Sequence, residues 1–123
     1  MSDLLWQLGA METAELISKK DVSTREVIKN HLERLKEVNP KINAITRSLN
    51  DEAMEMAVLA DEKISRNEQI GPLHGVPVTI KDNVDITGQS SPNGVSKLKD
   101  NLAPANSPVV DNLSLIHISE PTR

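Results

Sequence analysis

The chain contains no cysteine, no phenylalanine and no tyrosine, and Trp6 is its one aromatic residue. Without cysteine there is no disulfide framework and no thiolate chemistry. His31, His74 and His117 stand too far apart in sequence to show metal-ligand spacing. A single aromatic side chain gives no stacking platform for bases and leaves a core to be built from aliphatic groups. No run approaches the roughly 18 apolar residues of a membrane span, and Met1-Ser2-Asp3 lacks the basic, then apolar, opening of a secretory signal. A cytoplasmic location is the resulting expectation. The formal charge is −4 and the Lys and Arg residues are scattered, which argues against a nucleic-acid footprint. The length, 123 residues, suits one small domain.

What the chain does have is helical patterning through residues 1–67. Residues 4–20 carry Leu5, Leu8, Met11, Ala14, Leu16 and Ile17 at helical spacing, with a break expected near Gly9. Ser23-Thr24-Arg25-Glu26 reads as a capping box, the Ser23 hydroxyl serving the Glu26 amide and the Glu26 carboxylate serving the Ser23 amide. Val27, Ile28, His31, Leu32, Leu35 and Val38 then form one apolar stripe, which Asn39-Pro40 is expected to terminate. Residues 42–49 are β-capable, and Asn50 is a fair cap for a helix over residues 51–65 that buries Ala53, Met56, Ala57, Ala60 and Ile64. His31 lies in the apolar stripe as an ordinary half-buried helix residue, without assigned chemistry.

The most specific stretch follows. In Gly71-Pro72-Leu73-His74-Gly75-Val76-Pro77-Val78-Thr79-Ile80-Lys81-Asp82-Asn83, turn residues open and close a short apolar run. As a strand it would put Val76, Val78 and Ile80 on one face and Thr79 and Lys81 on the other. Taken alone, a lysine at a strand end is an ordinary snorkelling surface residue. His74 reads as a loop imidazole hydrogen-bonded to backbone. Ser90 and Ser91 lie in a Gly-Pro-Asn-rich loop without a nucleophile elbow, and read as turn residues whose hydroxyls satisfy local backbone. Ser107 before Pro108 suits a helix start.

This stretch resembles the signature of the amidase signature family, serine hydrolases of carboxamides. The resemblance continues through Val84-Asp85-Ile86-Thr87-Gly88, Pro92-Asn93-Gly94-Val95 and Ser107-Pro108-Val109-Val110-Asp111-Asn112-Leu113, and extends weakly upstream. Asn106 is a mild departure, since relatives often carry aspartate there. The resemblance implies an α/β fold, helices packed around a mixed sheet, of which residues 1–112 would be the incomplete N-terminal part: helical over 1–67, then signature strand and loop over 71–112. It also implies that Lys81 is the base of a Ser-cisSer-Lys triad acting on a small-molecule amide, with no metal and no organic cofactor. Such a base must be neutral when it acts. An ordinary lysine titrates near ~10.4, so keeping one neutral at pH 7 costs about 4.6 kcal/mol, which burial or neighbouring charge must supply.

Both serines of that triad would lie beyond residue 112, so the chain itself is expected to be inactive. Residues 113–123 instead read as the translation of a transposon-end sequencing adapter, and are expected to be a non-native tail. Two other readings stay open: the amidase-type subunit of a tRNA-dependent amidotransferase, and a non-catalytic helical interaction module. Pro92-Asn93-Gly94-Val95 looks more like stand-alone amidases than like that subunit. No nucleic-acid or membrane partner is expected, and an unpaired strand edge leaves room for a homo-oligomer.

Overall fold

A computed structural model describes residues 2–117. Four α-helices occur among them: α1 (Ala10–Ser18), α2 (Thr24–Ile42), α3 (Asn50–Ser65) and α4 (Pro108–His117). Short 3-10 turns cover Ser2–Gln7 and Ser96–Leu98. The core lies where the N-terminal turn, α1 and α2 meet, around Leu5, Ile17 and Val27, with Leu8, Leu16, Val22 and Ile64 packed against it. Ile17 and Val27 are fully buried. No described helix is long and apolar enough to cross a membrane.

The break expected near Gly9 is present, with Gly9 capping α1 and its N–H donating to Glu12 Oε2 at 3.0 Å. The capping box of α2 forms as its sequence implies. Ser23 Oγ accepts from the Glu26 N–H at 3.1 Å, and the Ser23 N–H and Oγ–H both donate to Glu26 Oε2 at 2.8 Å. The remaining orphan amides of that first turn are satisfied from another helix. Asp61 on α3 accepts the Thr24 N–H at 2.6 Å and the Arg25 N–H at 3.2 Å, while its carboxylate also holds Arg25 Nε at 2.9 Å. A carboxylate at a helix N-terminus is favoured by the exposed amides and the helix dipole together. Asp61 thereby fixes α3 against α2 by polar contact, while Ala57 and Ala60 are small and buried. Ala53, Met56 and Ile64, the other residues expected on the buried face of α3, are half-buried.

Asn50 does not cap α3 but is its first residue, with Leu49 at the cap position and no side-chain cap bond. Two larger expectations are also corrected. Asn39-Pro40 does not end α2, which runs to Ile42 with Pro40 inside its last turn. A proline there removes one hydrogen bond near an end already short of partners. Termination comes instead from Asn43, left-handed at φ 48°, whose N–H returns to the Asn39 carbonyl at 2.7 Å.

The second correction concerns the expected signature strand at residues 76–81 and the β-capable run at residues 42–49. Among the described residues there is no strand, and the one β-bridge is isolated, Ser90 with Leu102. A strand exists only when adjacent backbone takes its N–H and C=O groups. Within residues 42–49 the Asn39 side chain takes both backbone groups of Ile45, donating to its carbonyl and accepting from its N–H, both at 2.9 Å. Residues 76–81 have no described segment alongside to form a ladder, and Pro77 lacks a donor. The expected alternation of faces is accordingly lost, with Val78 52% exposed.

The C-terminal loops are closed by side chains. Asn106 Oδ1 accepts from the Thr87 N–H at 2.7 Å and from Thr87 Oγ1 at 3.0 Å, and its Nδ2 donates to Asp111 Oδ1 at 3.0 Å. An aspartate at 106 could not make that last donation. Helix α4 begins at Pro108, as Ser107-Pro108 implied, and continues through residues 113–117 of the segment read as a tail. The rest of that segment, residues 118–123, lies outside the described residues.

The capping box carries a pH dependence. The Ser23 backbone N–H, and then its hydroxyl, hold the Glu26 carboxyl below its ordinary value of 4.5. A carboxyl whose folded pKa is depressed contributes stability that is fully present above its unfolded value, and loses it as pH falls through the folded one. The stability difference between the native chain and Glu26→Gln, from urea midpoints followed by Trp6 fluorescence, should therefore be greatest above pH 4.5 and shrink on further acidification. A difference that stays constant throughout would show that the carboxylate charge plays no part.

Candidate active site

Lys81 lies at the rim of a groove of about 840 Å³ between α2 and residues 77–90. The α2 wall is the apolar stripe, with Ile28, Leu32, Leu35 and Val38 facing inward, and residues 77–82 form the wall opposite. Lys81 is exposed, its carbonyl accepts the Val84 N–H at 3.0 Å in a tight turn, and no ion pair holds its ammonium among the described residues. The burial that a neutral lysine requires is not provided by these walls alone.

The segment that delivers Lys81 is fastened upstream. His74 is only 2% exposed, and its Nε2–H donates to the Ala60 carbonyl of α3 at 3.0 Å, the backbone hydrogen bond expected of it. Its Nδ1 is buried without a partner. Gly75 has φ +79°, and a Cβ there would stand 2.6 Å from Thr24 Oγ1 and 3.1 Å from Ile17 Cδ1. Only glycine fits both the backbone conformation and the contact.

Ser90 also lines the groove, yet its surroundings do not suit a nucleophile. The Arg47 guanidinium donates to Ser90 Oγ at 2.5 Å, to the Ser90 carbonyl at 3.1 Å and to Gln89 Oε1 at 3.1 Å. A permanent cation donating to the hydroxyl cannot remove its proton. The Ser90 hydroxyl therefore has a partner 43 positions away rather than the local backbone expected of it, while Ser91 Oγ is buried without one. Nothing in the neighbouring sequence distinguishes Arg47 or Asp61 from an ordinary surface charge, so pattern alone does not find either. His31 sits half-buried on α2, its Nδ1 2.8 Å from the Val27 carbonyl. No three His, Asp or Glu residues gather as a metal site among the described residues.

Comparison with known proteins decides the family. The Amidase family model matches residues 26–115, a span that contains the groove, Lys81 and the whole signature stretch. The chain belongs to the amidase family. Its amidase relatives include an indoleacetamide hydrolase of Bradyrhizobium diazoefficiens, 43% identical over 109 residues, which cover 89% of this chain and 21% of that protein. A glutamyl-tRNA(Gln) amidotransferase subunit of Thermoanaerobacter pseudethanolicus is 41% identical over 109 residues, covering 89% of this chain and 22% of that one. Among solved amidase structures, a bacterial aryl acylamidase of the amidase signature family superposes with a TM-score of 0.83 at 31% identity, covering 89% of this chain and 23% of that chain. The chain thus spans about a fifth of the length of the curated relatives it matches. The family match also runs three residues past residue 112, where the tail was expected to start.

The Arg47 contacts give a direct test of how this amidase segment holds its groove. Arg47→Ala removes three hydrogen bonds to the 89–90 turn and should lower stability by about 1–3 kcal/mol. Arg47→Lys should recover less than half of that, because one ammonium cannot reproduce the planar fork. Urea midpoints measure both, and full recovery by lysine would show that charge alone matters.

Proposed function

We propose that residues 1–112 are the opening part of an α/β amidase domain that hydrolyses a carboxamide C–N bond, with Lys81 as the remote base. The observation that carries this reading is the family match across the signature stretch, and Lys81, which lies in that stretch, lines the groove. Similarity to an indoleacetamide hydrolase and an aryl acylamidase supports hydrolysis of a small-molecule amide.

In this mechanism neutral Lys81 takes a proton through a bridging serine, and the nucleophilic serine oxygen so activated forms a bond to the amide carbon. Backbone N–H groups stabilise the resulting oxyanion. The C–N bond breaks as the relayed proton passes to the leaving nitrogen, and water then releases the acid from the acyl-enzyme by the same relay. Lys81 can play this part only when further chain covers the groove and removes it from water, since it is exposed against residues 1–112. That requirement agrees with the chain's spanning about a fifth of its relatives. Both serines, on this reading, belong to that further chain, and residues 113–123 are an appended tail. The location proposed for such a domain is the cytoplasm.

The amidotransferase subunit is the second reading, favoured by identity nearly as high as that to the hydrolase. It keeps the same carboxamide chemistry but delivers the released ammonia to a charged tRNA within a larger assembly. Family membership supports either enzyme over a helical interaction module.

The test has two arms. The 123-residue chain, given a simple aryl amide, should show no turnover above buffer. In the uninterrupted protein, Lys81→Ala should lower kcat/KM by about 10²–10⁴-fold with the fold intact by circular dichroism. Turnover by the short chain that Lys81→Ala abolishes would overturn the assignment of the serines, and unchanged kcat/KM in the longer protein would remove Lys81 from the mechanism.

A further inference from the structure

We propose that His74 is a positioning residue for Lys81, setting where residues 77–82 run opposite α2 by pinning the preceding turn to α3. The inference rests on the reading of Lys81 as the base. Three helices converge on two consecutive residues. His74 is tied to α3 through the Ala60 carbonyl at 3.0 Å, and Gly75 is seated on Thr24 of α2 and Ile17 of α1. Two turn bonds brace the same point, from the His74 N–H to the Gly71 carbonyl at 3.2 Å and from the Val76 N–H to the Leu73 carbonyl at 3.1 Å. Beyond it, no backbone hydrogen bond ties residues 77–80 to another described segment. Residues 74 and 75 are therefore the last backbone anchor before Lys81.

The choice of histidine supports a positional role over a packing one. A buried imidazole with Nδ1 unpartnered costs stability relative to an apolar side chain of similar size. What the imidazole adds is one directional N–H, aimed at a fixed helix carbonyl. A general base must be held to within about 0.5 Å, and a misplacement near 1 Å costs about 10²-fold. A pin located at the start of the delivering segment meets that need.

The test begins with the unmodified 123-residue chain. Ring nitrogen chemical shifts should place a proton on Nε2 of His74, in slow exchange with water; an Nε2 that carries no proton overturns the proposal without any variant having to fold. His74→Gln retains a side-chain N–H donor and His74→Leu retains bulk alone. Backbone ¹⁵N relaxation should show residues 76–84 more mobile in the leucine variant, with α1–α3 unchanged and the glutamine variant like wild type. Equal mobility in the two variants, or loosening spread evenly over α1–α3, overturns it. In the uninterrupted enzyme the leucine variant should lose about 10- to 100-fold in kcat with KM within about twofold, and the glutamine variant should restore most of it. A leucine variant with undiminished kcat also overturns it. The two readings fail separately: full turnover by Lys81→Ala sinks the role of Lys81, whereas the ring signature and segment mobility decide whether His74 is a pin.

Discussion

The approach of Gly75 to Thr24 and Ile17 is the constraint on which the arrangement depends. The bare α-carbon lets a left-handed turn settle directly onto the first turn of α2 and the end of α1, where a Cβ would stand 2.6 Å from Thr24 Oγ1. Upstream of that contact the chain is a helical unit with an aliphatic core. Downstream, as far as α4, it is mainly loop, held at discrete points and carrying Lys81 to the edge of an apolar groove. The same contact lets His74 reach the Ala60 carbonyl from a buried position.

With few large side chains to bury, much of the fastening is polar and runs from side chain to backbone. Asp61 supplies acceptors to two amides of α2, Asn39 takes both backbone groups of Ile45, Arg47 holds the 89–90 turn and Asn106 joins Thr87 to Asp111. Each satisfies groups that would be costly to strip of water unpaired. The apolar stripe of α2 is the complement to this pattern. Ile28 is buried, while Leu32, Leu35 and Val38 remain half-buried along the groove, beside an unlayered segment with an exposed lysine. Further chain packed over the groove would cover both at once, since apolar burial drives such packing and the same exclusion of water would bury Lys81.

Legibility in the sequence followed the range of the interaction. The Ser23–Glu26 box, the periodic faces of α2 and α3, the break at Gly9 and the start of α4 are local, and each was readable from neighbouring residues. The family itself was readable because its signature is a contiguous stretch. Asp61 and Arg47 act over separations of 36 to 43 residues, and no local pattern marks them. Proline misled at position 40 because one lost hydrogen bond in a last turn is tolerable, while Asn43 can take the left-handed conformation that ends a helix. The strand expected at 76–81 does not form: its residues are β-compatible, but pairing is a property of two segments, and pattern in one cannot supply the other.

The central claim is that Lys81 is delivered by a segment anchored at residues 74 and 75 and otherwise without ladder partners among the described residues. Native-state amide hydrogen exchange measures this directly. The account predicts strong protection around Ile17 and Val27, where the helices pack, and near-random-coil exchange for the amides of Val78, Thr79 and Ile80. Protection of those three amides approaching that of the helical core would contradict it, because slow exchange there requires a sheet partner, and none exists among the described residues.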